Sequence, residues 1–172
     1  MTILAIDPSL TSLGYAYEGS KRIEVGCVRP KDKGLQRLCR LRDEVRTLLD
    51  THQPTLVAYE GYAMGIRGGG RVFDLGELGG VLKMEIYSRG IPILLVPPSN
   101  LKLFVTGHGG TKGKDAMMQV LAKHRGRLFS RDDEADAYGL VLVGRSWLYP
   151  STRPRDRRHH ERRALRGCEI VG

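Results

Sequence analysis

Residues Ile3-Leu4-Ala5-Ile6 form an apolar run that ends in a carboxylate, Asp7, followed by Pro8. No other stretch constrains the fold as much, because a strand of this composition is buried and carries its terminal acid toward the interior. Burying an ionised carboxylate without a partner costs several kcal/mol, and about 20 by the idealised Born figure. Asp7 therefore needs a hydrogen-bond donor, a counter-charge or a metal ion. Asp-Pro also opens turns, so Asp7 alone is compatible with a strand that simply stops there. The chain repeats the device, however. Leu56-Val57-Ala58-Tyr59 runs into Glu60 and Gly61, and Asp133 and Asp136 form a third acidic point toward the C-terminal end.

The elements between these acids are legible from periodicity. Residues 2–7, 13–17 and 23–28 read as three strands joined by short turns, which pair as an antiparallel meander. A helix is predicted from about Gly34 to Thr51, with Leu38, Leu41, Val45 and Leu48 at steps of three and four and charges on its other face. Pro54 opens the strand that ends at Glu60. A second helix, Arg71 to Arg89, carries Leu75, Leu78, Leu82 and Ile86 on one face. Its Gly76, Gly79 and Gly80 cost helix propensity and point to the close approach of another backbone, within the fold or across a dimer contact. Residues 91–96 form a short strand stopped by Pro97-Pro98, with Ser99 capping a brief helix through Val105. Helices from about 115 to 125 and from 130 to 147 complete the pattern. The second of these is apolar nearly all round from Ala135 to Gly144 except at Asp136, as a helix buried against a sheet would be. Ser130 with Asp133 resembles a capping box, a purely structural explanation for Asp133. Asp136 lies a turn inside and shares a face with Asp133.

These elements predict an α/β domain over 1–150: a five-stranded mixed sheet, three antiparallel strands then two parallel, flanked by helices. Residues 151–172 read as a disordered tail. Seven arginines against two acids between Arg153 and Arg166 supply five of the nine excess positive charges of the chain. Such a surface is suited to a polyanion. No run approaches the ~20 apolar residues of a membrane span, and Met1 leads into a strand with no signal-peptide pattern, so a cytoplasmic protein without membrane association is expected. The three cysteines show neither disulfide nor zinc spacing.

Two glycine-rich loops lie beside this framework. Residues 61–70 read as a mobile loop next to Glu60, with Arg67 and, just beyond it, Arg71 as candidate nucleic-acid contacts. Gly107 to Lys114 superficially resembles a phosphate-binding P-loop, but position 108 is His and position 115 is Asp where that pattern needs Gly and Ser or Thr. Nucleotide hydrolysis is disfavoured; Lys112 and Lys114 are instead candidate phosphate contacts.

Assembled, the strand ends bring Asp7 and Glu60 together and the last helix lays Asp133 and Asp136 across them. Four carboxylates in one pocket repel unless a divalent cation binds, and oxygen-only ligands favour Mg²⁺, with Mn²⁺ as substitute. Two ions about 4 Å apart would support phosphodiester cleavage.

The order Ile-Asp-Pro with Gly14 in the next strand, Tyr-Glu-Gly after a helix, and Asp-Asp-Glu-Ala-Asp-Ala in the last helix resembles the RuvC-type Holliday-junction resolvases of the RNase H-like superfamily, over roughly residues 2–147. The resemblance implies an RNase H-like fold and a catalytic tetrad of Asp7, Glu60, Asp133 and Asp136. It also implies active-site lysines at Lys102 and Lys114, and a homodimer that nicks opposed strands of a four-way DNA junction. A two-fold enzyme would meet a two-fold substrate. The family's base-stacking aromatic would correspond to Tyr62, against the alternative of ordinary loop packing, and the Arg-rich tail would extend the range to other branched DNA. The same fold and acids also serve ribonuclease H acting on RNA/DNA hybrids and transposases, and a non-catalytic basic DNA-binding module is a further alternative.

Overall fold

The computed structural model describes residues 1–19, 22–62, 69–109, 116–150 and 159–172, with the side chains of residues 69–71 outside that set. Three strands, β1 (Ile3–Asp7), β2 (Leu13–Glu18) and β3 (Ile23–Val28), form the expected antiparallel meander. They are followed by α1 (Gly34–His52), β4 (Leu56–Glu60), α2 (Gly69–Tyr87), β5 (Ile93–Val96), α3 (Pro98–Thr106), α4 (Ala116–Arg125), α5 (Asp132–Leu148), α6 (His159–Leu165) and β6 (Glu169–Val171). β4 adds parallel to β1 and β5 parallel to β4, so the sheet order is β3-β2-β1-β4-β5-β6.

Period-two alternation divides the core between the two faces of the sheet. Leu4, Ile6, Val57 and Tyr59 point to the side covered by α1 and α2, where Leu38, Leu41, Val45 and Leu49 meet Leu78, Leu82 and Ile86. Ile3, Ala5, Leu56 and Ala58 point to the other side, where α5 lies across the sheet with α3, α4 and α6 around it. In α1 the stripe closes on Leu49 rather than Leu48, which packs only at the edge of this cluster. Ala135 and every residue from Ala137 to Gly144 are buried, so α5 is the centre of its layer and needs no polar face there.

The expected five strands and disordered tail are corrected by the structure. Residues 159–171 belong to the domain: β6 pairs antiparallel with β5, and Ala164, Leu165 and Cys168 enter the α5-side core. The arginines that suggested disorder flank a short apolar set that is sufficient to dock. Residues 151–158 lie outside the described set.

The three glycines of α2 separate into two roles. A Cβ on Gly79 would sit 1.9 Å from the Tyr62 hydroxyl, so this glycine makes room within the fold, whereas a Cβ on Gly76 or Gly80 would meet nothing within 4 Å. No described helix is long and apolar enough to cross a membrane.

Candidate active site

Strand parity sets the first two acids. Asp7 follows Ile3 and Ala5 onto the α5 face of β1, and Glu60 follows Leu56 and Ala58 onto the same face of β4. The parallel register runs to Ile6↔Tyr59, so the next residues, Asp7 and Glu60, end side by side. Their carboxyl groups lie close enough to perturb each other's protonation.

The third acid arrives by close contact. Gly14 pairs with Asp7 across the β1–β2 ladder, and a Cβ there would lie 2.4 Å from the Asp133 carbonyl oxygen. Only the bare backbone of glycine lets the first turn of α5 settle on the sheet at this point. The carboxylate of Asp133 accepts a 2.6 Å hydrogen bond from the Ser12 hydroxyl, with Arg131 Nε 3.7 Å from the same oxygen. The proposed capping box is not formed: Arg131 is the N-cap residue, and the Ser130 N–H donates to Glu134 Oε2. Asp133 is thus directed by Ser12 across the fold, not by the end of its own helix.

The electrostatics are those of crowded acids. Burial holds Asp7 well above the ordinary carboxylate range, reinforced by Glu60, Asp133 and Asp132. Glu60 is also raised, chiefly by burial and by Asp136, against the opposing effects of the Asp7 hydrogen bond and the Lys102 charge. Asp136 is pushed up to about 7 by burial, then by Asp7, with Lys102 opposing and Asp132 and Asp133 adding to the rise. Lys102, on α3, is therefore within the field of both Glu60 and Asp136.

One ammonium against this many carboxylates leaves an excess of negative charge that protons or a hard cation must neutralise. The donor set is oxygen only, which fits Mg²⁺ or Mn²⁺ and disfavours zinc. Among the described residues no three His, Cys, Asp or Glu side chains stand close enough to hold an ion as they are. Asp7 and Glu60 lie against each other, and Ser12 holds Asp133 through one carboxylate oxygen.

Asp7, Glu60, Asp133, Asp136 and Lys102 are brought together. Tyr62 is 44% exposed and rests on α2, its hydroxyl donating to the Gly76 carbonyl at 3.4 Å and the Lys83 ammonium 5.0 Å from its ring centre. Arg67, Lys112 and Lys114 lie outside the described residues, and Arg71 is described only as backbone within α2. The sequence reading missed Ser12, whose bond spans 121 residues and leaves no local signal.

A mixed sheet whose central parallel strands end in acids, under an acid-bearing helix, defines the RNase H-like class of fold, and solved structures share it. T. thermophilus RuvC in complex with Holliday junction substrate matches with a TM-score of 0.68 at 22% identity, over 83% of this chain and 91% of that one. The Fowlpox virus resolvase in complex with substrate Holliday junction DNA matches with a TM-score of 0.58 at 16% identity, over 86% and 99%. The family model described as crossover junction endodeoxyribonuclease RuvC matches residues 3–142. A curated protein of that name from Mycobacterium bovis (strain BCG / Pasteur 1173P2) is 34% identical over 161 residues, covering 88% of this chain and 84% of its own length. One from Synechococcus sp. (strain CC9311) is 30% identical over 158 residues, covering 84% and 98%. The chain belongs to the RuvC family of crossover junction endodeoxyribonucleases.

Proposed function

We propose that this protein resolves four-way DNA junctions by paired, Mg²⁺-dependent phosphodiester cuts in opposed strands, acting as a cytoplasmic homodimer. The observation that carries the reading is the convergence of Asp7, Glu60, Asp133 and Asp136 on one face of the sheet with Lys102 beside them, in a chain of net charge +9. When bound, two Mg²⁺ ions, or Mn²⁺ in their place, would polarise the scissile phosphate and acidify the attacking water.

The rest of the chemistry belongs to the chain. Asp7 and Glu60, side by side at their strand ends, would hold the ions, with Asp133 and Asp136 closing the site from α5. The Lys102 ammonium offsets the negative charge that builds on the phosphate oxygens during displacement. Tyr62, Arg67, Arg71, Lys112 and Lys114 hold the junction arms, the cations on phosphates and Tyr62 by stacking on a base after leaving its seat on α2.

Dimerisation is supported by α2. Phe73, Gly76, Gly80, Met84 and Tyr87 recur along one side of this helix; Phe73, Met84 and Tyr87 are 75%, 71% and 61% exposed, and the two glycines face open space. A second copy of the same helix is the natural occupant of a flat apolar stripe with glycine gaps, and it supplies the two-fold axis that paired nicking requires.

The test is strand-specific cleavage of an end-labelled immobile four-way junction, beside a linear duplex, a fork and an RNA/DNA hybrid, with and without Mg²⁺ and with Asp7→Asn as control. Symmetric paired nicks confined to the junction and lost in Asp7→Asn are expected. Cuts on forks as well would broaden the substrate to branched DNA. Cleavage of only the RNA strand would replace the reading with a ribonuclease H, and tight binding without metal-dependent cutting would leave a DNA-binding module.

A further inference from the structure

Every element of the site described above falls within residues 3–142, the span matched by the family model, yet the chain continues and folds back onto the domain. The returning segment docks on α3, the helix that carries Lys102. Ala164, Leu165 and Cys168 are buried in the same cluster as Leu101 and Phe104 of α3. The Asn100 side-chain amide donates a 2.7 Å hydrogen bond to the Ala164 carbonyl. A Cβ on Gly167 would lie 2.2 Å from Asn100 Nδ2, so the turn after α6 passes directly over this side chain. At the other end of α3, a Cβ on Gly107 would be 3.7 Å from the His160 ring. β6 then anchors the segment by pairing with β5, the strand that leads into α3.

Asn100 and Lys102 are two residues apart, about 200° around a helix at 3.6 residues per turn, so they point to opposite sides of α3. The side that Asn100 occupies is gripped by the C-terminal segment, while Lys102, on the other side, is within electrostatic reach of Glu60 and Asp136. α3 is only nine residues long and has no side-chain hydrogen bond at its N-cap, so its orientation depends on what it packs against.

We infer that the α6–β6 segment is a positioning strap: by holding Asn100 and the back of α3 it sets the Lys102 ammonium against the acids, with Asn100 and Gly167 as positioning residues that touch neither DNA nor metal. The inference rests on the nuclease reading of the site. It predicts that junction binding and cleavage separate when the strap contact is loosened.

The experiment is single-turnover cleavage of a four-way junction at saturating protein, with junction Kd measured alongside, for the full-length chain and for Asn100→Ala, Gly167→Ala, Lys102→Ala and the pairwise combinations. Gly167 is not in the left-handed backbone region, so its alanine tests space and not conformation. Each strap variant is expected to cleave about 10-fold more slowly with Kd changed less than about two-fold, as a small displacement of a charge-stabilising group would produce. Asn100→Ala should add nothing to the loss caused by Lys102→Ala, and the Asn100→Ala/Gly167→Ala double variant should be no slower than Asn100→Ala alone, because the side chain that the new methyl would displace is already gone. Cleavage at the wild-type rate in both strap variants, or full additivity of Asn100→Ala with Lys102→Ala, would overturn the inference. Wild-type protein that fails to nick junctions would instead refute the function proposed above, so the two failures are distinguishable.

Discussion

Gly14→Ala perturbs the site at the point where sheet and helix are closest. The added Cβ would stand 2.4 Å from the Asp133 carbonyl oxygen and 2.9 Å from its carbonyl carbon. A relaxed carbon-to-oxygen contact is about 3.3 Å or more, so strand and helix must separate by roughly 0.9 Å. The obstacle is backbone, and no side-chain rotation relieves it. Because Asp133 and Asp136 both ride on the first turns of α5, while Asp7 and Glu60 stay with the sheet, the displacement moves the two pairs of acids apart. A misplacement near 1 Å costs about 100-fold in rate. The overpacking itself costs about 1–3 kcal/mol, which a domain of ordinary stability, about 5–15 kcal/mol, survives. The assay is single-turnover junction cleavage in Mg²⁺, with urea unfolding to confirm the folded population and a junction Kd to separate binding from chemistry. Wild-type cleavage in folded Gly14→Ala would show that α5 can shift without consequence and would refute the account of how the acids are assembled.

Four further perturbations test the site and the exposed face of α2. Ser12→Ala removes the 2.6 Å hydrogen bond that directs Asp133 and should weaken Mn²⁺ binding, read by calorimetric titration of the protein without DNA, by about 10- to 100-fold; unchanged affinity would make Ser12 incidental. Carboxylates raised by folding bind protons more tightly in the folded than in the unfolded chain, so metal-free stability should fall as pH rises from about 4 through the Asp136 value of about 7, and Mg²⁺ should restore melting temperature most at the alkaline end. By the same reasoning Asp7→Asn should raise the melting temperature of the metal-free protein while abolishing cleavage and sparing junction binding; a lower melting temperature would show that Asp7 is compensated in a way these contacts do not include. Gly80→Arg with Met84→Glu places charge on the open stripe of α2 and should convert dimer to monomer in sedimentation velocity, with paired nicking lost; an undisturbed dimer would move the interface elsewhere.

The parts of the molecule that could be read without coordinates were those in which one residue breaks a strong local pattern. Asp7, Glu60 and Asp136 each interrupt an apolar run, and a charge among buried neighbours is informative because it is costly. The helices of the α2-side layer were legible for the same reason, since Leu78, Leu82 and Ile86 repeat with the helical period and all are buried. Ser12 was invisible because a serine in a turn is ordinary until its partner, 121 residues away, is known. The strap was misread because charge density dominated the composition, and Ala164, Leu165 and Cys168 are too few to show a period. Asp133 was given a local partner, Ser130, when its actual partner is distant; capping patterns describe what a helix end can do alone and not what tertiary contact will take from it.

The position of the acids also follows from a feature of the topology. β1 is the strand at which the sheet changes direction, with β2 antiparallel on one side and β4 parallel on the other. At its C-terminal end β1 therefore meets the C-terminal end of β4, where the chain leaves the sheet and an acid is free to face outward from the core, and the N-terminal end of β2, where the chain enters. The first junction sets Asp7 beside Glu60; the second sets Asp7 beside Gly14, the one residue small enough to admit α5. A sheet with parallel neighbours on both sides would offer a second strand end in place of this entry, with no reason for a glycine there and no seat for the helix. Strand order also reverses between β1 and β4, and crevices outside the carboxyl ends of strands at such a switch are where open α/β sheets bind ligands in general. Here the crevice is floored by carboxylates, and Lys102 reaches it from the helix that follows β5, the next parallel strand. The strand order sets Asp7 beside Glu60, the contact at Gly14 seats α5 over them, and the strap on α3 fixes the last segment.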